Sequence, residues 1–173
     1  AYLGLGFMAD PALGSFVAEQ NVYNPIKEQE EMFRMATGLD DALYTHLKYD
    51  TLEAPEACDL HASGTSGTQY SYSTQDVAEQ NDAVFDEGLS RLSRSVWNVT
   101  EDTDTSLSGT VDAAQDGLFY TSIPYENGWR AYVDGVEVPL AQTASASSES
   151  VRLTDAVIAF PLTAGQHTVE LRY

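Results

Sequence analysis

Asp134-Gly135 stands between two short runs, Trp129–Val133 and Val136–Leu140. A two-residue loop of this kind favours positive φ at both positions and joins antiparallel strands, so it specifies a hairpin and its register. In that register Val133 faces Val136, Ala131 faces Val138 and Trp129 faces Leu140. One side is then wholly apolar and is expected to bury Trp129, while Arg130, Tyr132 and Glu137 form the solvated side.

Strand signals dominate the second half of the chain. Val96–Thr100, Thr105–Ala113 and Gly117–Ile123 read as strands, and Ala156–Leu162 is apolar on both faces, as a central strand would be. Thr163-Ala164-Gly165-Gln166 reads as a turn into the alternating His167, Val169, Leu171 and Tyr173, which predicts a second hairpin. The first half carries the helices. Asn24 can cap, Pro25 suits the first helical position, Ile26, Met32, Phe33 and Ala36 make a stripe, and Gly38 suits the position past the end. A second helix is expected over Ala83–Ser93, capped by Asp82, with Phe85, Leu89 and Leu92 on one face. Gly88 weakens it by about 1 kcal/mol relative to alanine. Ala1–Phe16 reads as an extended entry, Leu43–Tyr49 and Gln69–Ser73 as further strands, and Glu53–Thr68 and Ala141–Ser150 as loops. The class expected is mainly β (α+β): one antiparallel β-sandwich-like domain over residues 1–173, with two peripheral helices and a loop-rich tract over 50–80.

Charge narrows the partners. Against 27 acidic residues there are 8 basic ones, a formal net charge of −19, and Lys27 and Lys48 are the only lysines. Such a chain repels phosphate backbones and anionic lipid, so nucleic acid is excluded as a partner; the charge reads as a solubility coat. The single Cys58 closes no internal disulfide. No apolar run reaches the roughly 20 residues that cross a bilayer, and no charged-then-apolar leader opens the sequence.

Reactive constellations are not apparent in the sequence. Gly64-Thr65-Ser66-Gly67 lacks the strand and helix that expose a nucleophilic serine. His46, His61 and His167 lie far apart and read as ordinary strand or loop residues. The oxygen-rich Glu101–Ser106 does not fit a calcium loop opened by Asp102: Leu107 would stand where the loop requires glycine and Ala113 where it requires glutamate. No catalytic residue, cofactor-binding residue or metal ligand is therefore assigned. Aromatic faces stack on sugars, which leaves Tyr125 and Tyr132 as candidate carbohydrate contacts, Trp129 being assigned to the core.

The segment Asp116-Gly117-Leu118-Phe119-Tyr120-Thr121-Ser122-Ile123-Pro124-Tyr125-Glu126-Asn127-Gly128-Trp129, followed by Val133-Asp134-Gly135, resembles the closing region of YfhO-family bacterial membrane proteins. The resemblance continues through Phe160-Pro161-Leu162-Thr163-Ala164-Gly165-Gln166-His167-Thr168-Val169-Glu170-Leu171-Arg172-Tyr173, and more weakly at Phe7-Met8 and from Asn24-Pro25 to Thr37-Gly38. It departs at Gln29-Glu30, where the family has Gln-Asn, and over about Asp50 to Gln80, where the family has more strands. The resemblance implies an excised outer domain of a multi-spanning protein. That protein's glycosyltransferase-C-type membrane body would hold the catalytic carboxylates and use polyprenyl-linked sugars on envelope polymers such as lipoteichoic acid. This domain would then be a non-catalytic accessory on the extracytoplasmic face of the cell membrane, without a cofactor, with the membrane body and a cell-envelope glycan as partners. The alternative is a carbohydrate-binding module with a Tyr/Trp platform. A hydrolase, ranked third, needs two carboxylates facing each other across a cleft.

Overall fold

The structure, a computed structural model, describes residues 3–19, 25–48, 76–141 and 150–173. Its strands are β1 (Gly6–Ala9), β2 (Val17–Glu19), β3 (Tyr44–Lys48), β4 (Asp76–Gln80), β5 (Asn98–Asp102) and β6 (Ser106–Ala113), then β7 (Gly117–Pro124), β8 (Arg130–Val133), β9 (Val136–Val138), β10 (Ser150–Arg152), β11 (Val157–Leu162) and β12 (Gly165–Arg172). The helices are α1 (Pro25–Thr37), α2 (Asp82–Ser93) and the short α3 (Leu153–Ala156), with a 3-10 turn over Pro11–Ser15. The strand expected at Gln69–Ser73, together with Cys58, His61 and Ser66, lies outside the described residues, as does most of the Ala141–Ser150 loop.

Asp134 and Gly135 adopt φ of 51° and 80°, the two positive angles a two-residue hairpin turn needs. Val133 pairs with Val136, Tyr132 with Glu137 and Ala131 with Val138, in the register read from the sequence. The apolar side is only partly covered. Ala131 is fully buried, but Val136 beside the turn is 67% exposed. Trp129, expected to be buried, is half-buried against the core and meets the Tyr173 ring edge-on at 5.3 Å.

All strand pairings among the described residues are antiparallel. A five-stranded sheet has the order β5-β6-β12-β8-β9 and a three-stranded sheet the order β1-β7-β11, with two further two-stranded pairs, β3-β4 and β10-β2. The two larger sheets enclose a core that includes Trp97, Leu107, Val111, Phe119, Ile158, Phe160, Val169 and Leu171. Phe119 stacks on Phe160 at 4.9 Å and meets Trp97 edge-on at 5.6 Å, and each large side chain buried this way stabilises by roughly 1.5–3 kcal/mol. The opposite face of the three-stranded sheet carries Ala9, Leu118 and Ala159, which pack with Leu13, Phe16, Ala36 and Leu92 from the 3-10 turn and the helices. The chain is thus an α+β, β-sandwich-like structure with its helices at the periphery.

Two strand assignments change. β11 and β12 do not form a hairpin, because β11 pairs with β7 in one sheet and β12 with β6 and β8 in the other. Residues 163–164 therefore arch across the sandwich beside a second arch, 114–116, between β6 and β7. Asp116 ties the two together, its carboxylate accepting the Ala164 N–H at 2.7 Å. β11 is also an edge strand: it owes its two-sided burial to the layers above and below it, and Pro161 suits an edge because it donates no ladder bond. At the register shift between Val157 and Ala159, the buried Thr121 hydroxyl donates to the Ile158 carbonyl at 2.8 Å.

The two longer helices lie close to where the sequence puts them. α2 is capped by Asn81, whose side chain accepts the Val84 N–H at 3.4 Å, so the cap sits one residue before the expected Asp82. Gly88 is a contact point: a Cβ there would lie 2.2 Å from Phe33 Cζ, so glycine admits the ring that stacks with Phe85. Among the described residues, no helix is long and apolar enough to cross a membrane.

Candidate functional site

The end of β1, the last turns of α1 and α2, and the arch between β6 and β7 meet around a cleft of about 400 Å³, a volume typical of small-ligand sites. Each wall has a local cause. α1 stops where Gly38 adopts a left-handed φ of 65°, with its N–H donating to the Arg34 carbonyl at 2.9 Å. Arg91, reaching over from α2, donates to the Thr37 and Gly38 carbonyls at 3.3 and 3.4 Å. Its cation thereby sits on the negative end of α1, among carbonyls that lack helical partners. Through Nε it also pairs with Glu87 at 3.0 Å.

Asp10 Oδ1 accepts the Ala12 N–H at 2.9 Å and so caps the 3-10 turn. Its other oxygen faces Gly38, where a Cβ would stand 2.9 Å from Oδ2. Ser95 is buried, and its Oγ accepts the Ala114 N–H at 3.1 Å, which fastens the arch to the end of α2. Arg94 and Gln115 are exposed side chains with no partner among the described residues. Met8, Ala36 and Leu92 supply apolar walls. The cleft thus brings cationic, anionic and amide side chains together over a floor of buried apolar ones.

The residues proposed from sequence lie elsewhere. Tyr132 is on the outer face of the five-stranded sheet, with the Arg172 guanidinium 4.5 Å from its ring centroid. Arg172 binds Glu170 through two bonds, 2.5 and 2.7 Å, which hold the Glu170 carboxyl below its ordinary range and raise the Arg172 pKa. Arg130 pairs with Glu137 at 2.9 Å on the same face. Tyr125 is half-buried against the core between the sheets, so Tyr125 and Tyr132 lie on opposite sides of the five-stranded layer. Tyr173, edge-on to Trp129, donates its hydroxyl to Glu126 at 3.1 Å, and that carboxylate raises the phenol pKa.

His167 joins the hairpin to the 163–164 arch. Its Nδ1 lies 2.8 Å from Asp134 Oδ2 and its Nε2 lies 3.2 Å from the Thr163 carbonyl. Asp134 Oδ1 also accepts the Thr168 N–H at 2.9 Å, and these bonds, led by the one to His167, lower the Asp134 pKa. In the Glu101–Ser106 turn, Thr103 Oγ1 accepts the Ser106 N–H at 3.0 Å. Among the described residues no group of three or more His, Cys, Asp or Glu is placed to hold a metal ion.

Reading the sequence did not find the cleft residues Asp10, Glu87, Arg91, Arg94, Ser95 and Gln115. One signal was present: Arg91 and Arg94 are two of only eight cations in the chain, three positions apart at the end of a helix. Asp10 and Glu87 are the two carboxylates that the cleft brings together, each with one oxygen already engaged.

No curated protein and no solved structure matches the chain. The family model described as "Bacterial membrane protein YfhO" matches residues 45–173, well over half of the chain. The stretch matched begins in β3, continues through α2, and includes both large sheets except β1. The chain therefore belongs to the YfhO family of bacterial membrane proteins.

Proposed function

We propose that this chain is a non-catalytic accessory domain on the extracytoplasmic face of a glycosyltransferase-like membrane protein that modifies a cell-envelope polymer of the teichoic acid type. Its partners are the membrane body of the same protein and the glycan presented to it. The observation that carries this reading is the family match over residues 45–173, on a structure whose described helices are too short and polar to cross a bilayer. Two sealed hydrophobic clusters and polar outer faces suit a domain that stands in water beside such a body.

The cleft chemistry also fits an accessory role. A general acid for glycoside cleavage needs a carboxyl group in apolar surroundings that hold its proton, whereas Glu87 is paired with Arg91 and Asp10 caps a turn. The test is to mix the purified chain with polyprenyl-linked sugar donors and envelope polymers and search for product by mass spectrometry. No product is expected from this chain alone, and turnover is expected from the whole membrane protein. Turnover by the chain that disappears in Asp10→Asn or Glu87→Gln contradicts the accessory reading.

A further inference from the structure

The corner between β7 and β8 carries the one Asn-Gly pair of the chain. Of five asparagines, Asn21, Asn24, Asn81, Asn98 and Asn127, only the last precedes a glycine. The two residues of this pair are held very differently. A Cβ on Gly128 would lie 3.1 Å from the Tyr173 ring, closer than such contacts ordinarily come, so the ring seated on this backbone calls for glycine. Asn127 is exposed, lies outside the strands, and its side-chain amide has no partner among the described residues.

Such a pair sets an electrophile beside a nucleophile. Asn127 Cγ is one ring closure away from the Gly128 nitrogen, and glycine, having no Cβ, leaves the approach unhindered. The Gly128 N–H is held by the Glu126 carbonyl at 2.7 Å, across a three-residue turn. That carbonyl also accepts the Trp129 N–H at 3.2 Å, so it keeps a partner when Gly128 lets go. Opening of an exposed turn costs little. The two Asp-Gly pairs are tied down instead: Asp116 accepts the Ala164 N–H, and Asp134 is bonded to His167 and Thr168.

We propose that Asn127 is a site of spontaneous deamidation, with water as the co-reactant. The Gly128 nitrogen bonds to Asn127 Cγ, and the side-chain nitrogen leaves as ammonia with the proton that Gly128 gives up, closing a succinimide ring. Water then adds to one of the two ring carbonyls. Breaking the bond from Cγ to nitrogen leaves aspartate. Breaking the bond from the main-chain carbonyl carbon to nitrogen leaves isoaspartate, whose backbone runs through Cγ. Either product adds a negative charge beside Glu126, which accepts the Tyr173 hydroxyl at 3.1 Å. The isoaspartyl product also lengthens the turn that leads into Trp129, and so loosens its edge-on contact with Tyr173 at 5.3 Å. The proposal rests on this corner alone and is independent of where the domain stands in the cell.

The experiment holds the purified 173-residue chain for days in mildly alkaline buffer, which favours loss of the amide proton, and follows its peptides by fragmentation mass spectrometry. Asn127 should gain the mass of an amide exchanged for an acid before Asn81 or Asn98 does, with aspartyl and isoaspartyl products both present. The same chain in guanidinium chloride gives the rate with the turn open; the folded rate should lie below it, with conversion still complete enough to quantify over the same days. Asn127→Gln should stop the conversion at this position. In the isoaspartyl product the indole N–H resonance of Trp129 should move while that of Trp97 stays, and Asn127→Asp, which adds the charge without lengthening the backbone, should move it less. An Asn127 that stays intact in the folded chain while converting in denaturant, or that converts no faster than Asn98, overturns the proposal. A Trp129 resonance unchanged in the isoaspartyl product overturns the loosening of the aromatic corner.

Discussion

The inner face of the three-stranded sheet meets its partner sheet through Phe119, Ile158 and Phe160, all fully buried, whereas the outer face meets the helices through Ala9, Leu118 and Ala159. Large rings seal the first contact. Small side chains bring the helices close on the second, but helices are rods with ends, and where α1 and α2 stop the cleft remains. A single strand, β7, serves both faces, because Phe119 and Leu118 point opposite ways. The large buried rings lie on one side of this sheet and the polar cleft on the other.

Phe119→Ala tests the sealed face most severely. Deleting a fully buried ring that touches both Phe160 and Trp97 should cost about 3–5 kcal/mol in chemical denaturation. A loss under about 1 kcal/mol would mean that the sheets are not joined through this ring.

Gly88→Val probes the helical face. The new side chain must displace Phe33, whose Cζ lies 2.2 Å from the Cβ position, and overpacking of this kind costs about 1–3 kcal/mol. The loss should be smaller than for Phe119→Ala, with Trp97 fluorescence unchanged because the strain stays in the helix layer. A change in that fluorescence would show that the two faces are coupled through β7.

The smallest effect lies at the hairpin turn. The Asp134 carboxyl titrates below its ordinary value in the folded chain because of its bonds to His167 and Thr168. A carboxyl with a depressed folded pKa stabilises above its unfolded pKa of about 3.9 and loses that contribution as pH falls through the lower folded value. The thermal midpoint of the native chain should therefore fall more steeply in acid than that of Asp134→Asn. Parallel acid profiles would remove the carboxylate from the account of this turn.

Local chemistry was legible in the sequence, and long-range placement was not. Asp134-Gly135 announced its hairpin because two positive φ angles are a local demand met by those two residues. α1 was equally readable from Pro25 through Gly38. The Thr163–Gln166 reversal looks much the same as a hairpin turn, yet it arches between sheets. Its difference from a hairpin is which strands β11 and β12 pair with, and that is decided by β7 and β6, some forty to sixty residues earlier. β1 escaped notice because Gly6–Ala9 is a four-residue run whose partner, β7, lies over a hundred residues away. The cleft was hidden for the same reason: Asp10, Arg91 and Gln115 come together only through the packing of the helices on the sheet. Trp129 shows the limit of alternation, which assigned its side of the strand without showing how far the opposite sheet reaches over it.

The central claim is that this domain stands outside the cytoplasm, attached to a membrane-embedded body. Val136 is 67% exposed at a hairpin tip, and Cys58 is the single cysteine of these 173 residues, so Val136→Cys in a Cys58→Ser background, with any cysteine of the membrane body replaced as well, gives one addressable thiol. Labelling whole cells that carry the membrane-inserted protein with a membrane-impermeant maleimide measures the placement directly. An extracytoplasmic domain gives full labelling before lysis; labelling that occurs only after the cells are broken places the domain inside and contradicts the claim.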